Sequence, residues 1–170
     1  QAMKEARPGI SVLHLDAHAD MRESYQGTPF SHACVARRIS ETAPIVQVGI
    51  RSMSAEEASW LREQGRSVIR PGDLRGTSGW LERISRQLTE DVYLTVDLDV
   101  LDPSVMPATG TPEPDGLTWA ELLTVVREIA KRHVIRGFDV VELCPIPGMV
   151  APDFIAAKLV YRIMGYLARE

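Results

Sequence analysis

Val92-Tyr93-Leu94-Thr95-Val96-Asp97-Leu98-Asp99-Val100-Leu101-Asp102-Pro103 begins as an apolar run and ends in three aspartates. Ser11-Val12-Leu13-His14-Leu15-Asp16-Ala17-His18-Ala19-Asp20 repeats the arrangement, with a histidine inside the acidic cluster. Short apolar runs of this kind read as buried strands of a parallel sheet. Unpaired buried carboxylates are too unfavourable to keep, so two such strand ends imply a compensating cation. A metal ion is the simplest one.

Working outward, apolar runs at 45–50, 67–70 and 134–143 read as further strands. Helices are expected around 33–39, from Ser54 to a stop at Gly65, and over 80–88, 118–131 and 154–167. Ser54 with Glu57, and Thr118 with Glu121, have the spacing of capping boxes. Leu122, Val125, Val126, Ile129 and Ala130 share one helical face. Polar loops fill 21–31 and 103–116. The alternation predicts an α/β fold with a mostly parallel sheet and helices on both faces, in one domain over 1–170. Open parallel sheets bind ligands beyond the carboxyl ends of their strands, and Asp16, Asp97 and Glu142 sit at such ends.

At 170 residues the chain can bury a substantial core, and 45% apolar with 25% charged residues is ordinary for a globular protein. A net charge of -4 argues against a nucleic-acid partner. No apolar stretch is long enough to span a membrane, and the start has no signal-peptide pattern. Cys34 and Cys144 lie far apart, so free thiols in a reducing cytoplasm are expected. Position 1 is not methionine and 2–6 reads as the tail of a helix, so the chain is expected to be a fragment.

Asp97 and Asp99 are two apart, and an extended backbone would point them the same way; Asp16, His18 and Asp20 share that period. Carboxylates with histidine and no thiolate favour Mn²⁺ or Mg²⁺ over structural zinc. So many carboxylates exceed the needs of one ion, which points to two ions sharing ligands. Asp102, before Pro103, reads as a loop cap. His32 is either a proton shuttle beside the metal rim or a helix-start surface residue. His14, inside the apolar strand, reads as a core residue, and His133 as a helix end that suits a cation. Glu142 either pairs with a cationic substrate or bonds loop amides, and Asp139 has a weaker claim.

Taken together, Asp16-Ala17-His18-Ala19-Asp20, Ser31-His32, the 97–103 cluster and Asp139-Val140-Val141-Glu142 resemble the ureohydrolase family, which includes arginases and agmatinases. The stretches at 30–38, 48–52 and 109–118 resemble its agmatinase-like branch. The resemblance implies an arginase-like fold and a hydrolase with two Mn²⁺ ions that cuts a guanidino compound to urea and an amine. Agmatine, yielding putrescine, is the expected substrate; arginine and guanidinobutyrate are the alternatives. By the same resemblance Asp16 and Asp97 bridge both ions, Asp20 completes one site, and His18 and Asp99 the other. Asp99 also accepts a hydrogen bond or proton, His32 relays a proton, and Glu142 holds the guanidinium. Family members are usually homo-oligomers, and a homo-oligomer is expected here.

The family's Gly-Gly-Asp-His motif, whose histidine is another ligand of the first metal, has no match in these residues. The chain is therefore expected to be the C-terminal portion of the family domain, and alone to bind that metal weakly and turn over poorly. Rival readings are a Mg²⁺-dependent aspartyl phosphatase, which leaves the 16–20 cluster unexplained, and a non-catalytic regulator. Cys34 and Cys144 read as small buried thiols rather than nucleophiles.

Overall fold

The computed structural model describes residues 2–76 and 78–168. Gln1, Arg169 and Glu170, the ends of the expected 1–170 domain, and Thr77 lie outside them. In chain order the elements are α1 (Ala2–Ala6), β1 (Ser11–Leu15), α2 (Val35–Ser40), β2 (Ile45–Val48), α3 (Ala55–Glu63), α4 (Pro71–Gly76) and α5 (Trp80–Ser85). β3 (Asp91–Asp97), α6 (Trp119–Arg132), β4 (Val134–Val141) and α7 (Ala151–Leu167) follow. Short 3-10 turns close the loop after β1, at His32–Cys34, and open the loop after β3, at Leu98–Val100.

The four strands are all parallel, in the order β2-β1-β3-β4. The chain steps from β1 to β2 on one side, then crosses to β3 and β4 on the other. The order therefore reverses between β1 and β3, and the crevice beyond their carboxyl ends is the favoured ligand position in such a sheet.

One face of the sheet carries Leu13, Leu15, Val46, Val48, Leu94 and Val96, packed against Ile84 of α5, Leu122 and Val126 of α6, and Leu159 and Ile163 of α7. A smaller cluster on the other side joins Ala19, Met21 and Ile50 to Ala36 of α2 and Leu61 of α3, with Ile45 against it. Helices thus lie on both faces, as expected. The second face also carries polar residues: Tyr93 Oη and Thr95 Oγ1 both donate to the Asp139 carboxylate, at 2.9 and 2.6 Å.

Both capping boxes form: Ser54 with Glu57 at α3 and Thr118 with Glu121 at α6. Gly65, at φ +61°, ends α3 where the sequence placed the stop. Other expectations need correction. The expected strand at 67–70 pairs only through Ile69, with Val48. α4 has no counterpart among the expected helices; its Pro71 sits in the first helical turn, where proline fits. α7 starts at Ala151 rather than at 154, with proline in its first turn. α5 ends at Ser85 rather than at 88. Cys34 is buried as expected, but Cys144 is exposed. Among the described residues, no helix is long and apolar enough to cross a membrane.

Candidate active site at the carboxyl ends of β1 and β3

Leu15 lies opposite Val96, so Asp16 and Asp97 leave the sheet side by side at the switch point. Gly49 makes that rim possible. It holds φ +96°, and a Cβ there would fall 2.5 Å from Val100 Cγ2 and 2.9 Å from the Asp16 carbonyl oxygen.

Asp16 is almost fully buried. Its Oδ2 lies 2.9 Å from His14 Nε2, and its Oδ1 accepts the His18 backbone N–H at 2.6 Å. The His18 ring presents Nδ1 to Asp99 Oδ2 at 2.9 Å and to Asp16 Oδ1 at 3.5 Å. Asp99 Oδ1 accepts the Ala17 N–H at 3.1 Å, which ties the two strand ends together. Asp97 and Asp99 do not converge through an extended backbone, contrary to the sequence reading. Asp97 Oδ1 accepts the Asp99 N–H at 3.0 Å and caps the 3-10 turn, and that turn aims Asp99.

Two groups of potential ligand atoms lie within 4.8 Å of one another: His14, Asp16 and Asp20, and Asp16, His18 and Asp99. Asp16 belongs to both. Asp97 lines the same cleft but joins neither group. Asp20 holds φ +51° and Glu142, just beyond β4, holds φ +65°. Non-glycine residues kept in this region concentrate at functional sites. Glu142 is exposed and faces the cleft from β4. His32 faces it from the 3-10 turn that Ser31 caps, with its ring set edge-on to Tyr25 at 5.6 Å.

The expected site residues Asp16, His18, Asp20, His32, Asp97, Asp99 and Glu142 therefore line one cleft of about 520 Å³. Asp102 does not; it accepts from Ser104 N and Oγ and from Gly116 N, as a loop cap should. His133 bridges Ser85 and the Thr89 carbonyl away from the cleft. Arg22 stands in the cleft wall over the Tyr25 ring, 3.9 Å from Glu57.

Three residues escaped sequence reasoning. His14 is buried and satisfied, as a core residue should be, and it also braces Asp16; Gln47 Nε2 lies 3.1 Å from its Nδ1 and 2.7 Å from the Ala19 carbonyl. The signal was available, since positions two apart on a strand share a face. Glu57, beyond its capping role, accepts the Met21 N–H at 2.8 Å and so anchors the loop after Asp20. Glu113 Oε1 lies 3.6 Å from His18 Nε2, from a loop that no local pattern could have placed there.

The electrostatics fit a bound cation. Asp16, Asp20, Glu57, Asp97, Asp99 and Glu142 line the cleft, and Arg22 is the one fixed positive charge among the described lining residues. Burial, with Asp16 and Asp99 close by, pushes the Asp97 carboxyl up to about 9. Burial and Asp16 push Asp20 up to about 7. Hydrogen bonds to Asp16 and Asp99 raise His18 to about 10 against its burial. Burial favours a protonated Asp16, but hydrogen bonds from His14 and His18 reverse this and hold it well below the usual carboxylate range. Carboxylates that take up protons for want of positive charge are what a divalent ion would relieve, and an oxygen-rich donor set with imidazole suits a hard or intermediate metal.

Known proteins resemble this chain in sequence and in fold. The chain is 40% identical over 159 residues to N(1)-aminopropylagmatine ureohydrolase of Synechocystis sp., covering 92% of this chain and 52% of the relative. It is 38% identical over 160 residues to the agmatinase of Pyrococcus horikoshii, covering 94% and 56%. The crystal structure of agmatine ureohydrolase of Thermoplasma volcanium superposes with a TM-score of 0.84 at 33% identity, covering 94% of this chain and 55% of that one. The chain spans about half the length of the curated relatives it matches. Residues 1–165 match the arginase family, and the chain belongs to that family.

Proposed function

We propose that this chain carries the metal-binding rim of a Mn²⁺-dependent ureohydrolase, which hydrolyses a guanidino compound to urea and an amine. The observation that carries the reading is the meeting of seven acidic and histidine side chains from separate loops in one cleft at the β1/β3 switch point. Asp16, His18, Asp20, Asp97 and Asp99 would hold two ions, with Asp16 and Asp97 shared. The membership of Asp16 in both ligand groups supports its shared role. Bound there, manganese would supply Lewis acidity and a water of lowered pKa.

The chain's own residues do the rest. The Glu142 carboxylate accepts N–H groups of the substrate guanidinium in a charge-assisted pair and orients it. His32 Nδ1 lies 3.5 Å from Ser31 Oγ, which leaves Nε2 to carry the proton that the departing amine needs. Asp99 holds a proton from the attacking water at its carboxylate. Tyr25 lines the cleft wall that a substrate tail would meet, and Arg22 beside it is turned toward Glu57, 3.9 Å away, which offsets its charge.

Two of the relatives are named for agmatine or its aminopropyl derivative. Agmatine-type guanidines with a cationic tail are accordingly the substrate class, and the protein works in the cytoplasm as a homo-oligomer. The test is urea release from agmatine, N1-aminopropylagmatine, arginine and guanidinobutyrate, with Mn²⁺ and with chelator. Agmatine-type substrates should be preferred, and chelator should abolish turnover. Preference for arginine would overturn the substrate class, and equal turnover in chelator would overturn the metal reading.

A further inference from the structure

The stretch Val48-Gly49-Ile50-Arg51-Ser52 has no part in the reaction above, yet Arg51 reaches six backbone carbonyls. Its Nε donates to Pro114 at 2.9 Å, and its Nη1 to Gly49 and Val100 at 3.1 and 3.4 Å. Its Nη2 donates to Asp99 and Glu113, both at 2.7 Å, with Leu101 at 3.5 Å. These acceptors belong to three separate segments: the exit of β2, the 3-10 turn after β3, and the loop at 113–114. The last two are pressed together. A Cβ at Gly116 would fall 2.4 Å from Asp102 N and 2.7 Å from Arg51 Nη2.

The two carbonyls at 2.7 Å belong to the residues on either side of one imidazole. The Asp99 carboxylate lies 2.9 Å from His18 Nδ1, and the Glu113 carboxylate 3.6 Å from His18 Nε2. We propose that Arg51 is a positioning residue for His18. By tying the main chains of Asp99 and Glu113 to a single nitrogen, it sets the gap in which the His18 ring is held between their carboxylates. A carboxylate on the nitrogen away from the ion, as Glu113 stands on Nε2, orients a metal-binding imidazole and leaves Nδ1, on the Asp99 side, to face the ion. A guanidinium suits the task because its donors are rigidly forked and can serve several segments at once, whereas an ammonium is a point donor. A plain loop staple would lower stability when removed and leave His18 untouched.

The inference rests on the metal reading above. Mn²⁺ affinity by calorimetry and thermal unfolding are measured for the unmodified chain, Arg51→Met, Arg51→Lys, Glu113→Gln and the Arg51→Met/Glu113→Gln double variant. Arg51→Met is expected to weaken Mn²⁺ binding about 10- to 100-fold, the usual loss when an outer partner of a ligand is removed. Arg51→Lys should recover only part of it. Glu113→Gln should weaken binding in the same sense, and the double variant should lose less than the product of the single effects. A lowered melting temperature with unchanged affinity in Arg51→Met would overturn the proposal, as would a double variant that loses the full product. If Arg51→Met does not fold, unchanged affinity in both Arg51→Lys and Glu113→Gln overturns it equally. Failure of the unmodified chain to bind Mn²⁺ would overturn the metal reading and this proposal with it, whereas binding that Arg51→Met leaves intact would overturn this proposal alone.

Discussion

Loading the rim with Mn²⁺ should expel protons, and the structure sets how many. At pH 7, His18 with a pKa of about 10 and Asp97 at about 9 each carry essentially a whole proton. Asp20, at about 7, carries half of one. A metal binds only the deprotonated forms, so saturation at pH 7 should release between about two and three protons. The apparent association constant should then rise about 100-fold or more per pH unit near neutrality. Toward pH 9 the release should shrink to between about one and two, because Asp20 and half of Asp97 are already ionised. Calorimetric titration in buffers of different ionisation heat counts these protons directly. Release of less than one proton at pH 7, or an affinity equal at about pH 6.5 and about pH 8, would refute the reasoning.

Without metal, the same groups make the folded chain less stable as pH rises. Asp97, Asp20 and His18 all have folded values above their ordinary ones, so their contribution is complete below the ordinary values and is lost as pH climbs through about 7, 9 and 10 in turn; melting in chelator should occur at lower temperature at pH 9 than at pH 6, and the reverse order would contradict this. Glu57→Ala strips acceptors from Met21 N and Ser54 N and should cost about 1–3 kcal/mol in urea denaturation. Gly49→Ala forces a Cβ onto Val100 and the Asp16 carbonyl and should cost about 1–3 kcal/mol while weakening Mn²⁺ binding; unaltered stability would show that the rim yields more easily than the distances imply. Glu142→Gln keeps the shape but removes the charge, and steady-state kinetics of the whole enzyme should show kcat/KM for a guanidino substrate down by the equivalent of about 1.5–3 kcal/mol, with Mn²⁺ affinity intact.

The parts of this site that could be read from sequence are those set by short-range pattern. Asp16 and Asp97 were legible because an apolar run stopped at each, and parallel strands deliver their ends to one rim. The capping glutamates were legible because a box closes within one turn. Asp99 was singled out by strand alternation, but a carboxylate-capped 3-10 turn is what brings it to the cleft. His14 is the buried, satisfied core residue expected of it, but its partners Gln47 and Asp16, set by register and a shared strand face, went unread. Arg51 and Glu113 lie in stretches that stood out by resemblance, but what they touch was beyond reach. Apart from Gly49, their partners sit tens of residues away, and only the closure of the 113–116 loop onto the 98–101 turn brings them together.

The central claim is that the carboxyl ends of β1 and β3 hold divalent metal through Asp16, His18, Asp20, Asp97 and Asp99. Anomalous diffraction from crystals grown with Mn²⁺ tests it most directly. The account predicts manganese peaks between Asp16 and Asp97, with His18 Nδ1 and Asp99 among the contacts. Manganese bound elsewhere on the chain, or none at this rim at saturating concentration, would contradict it.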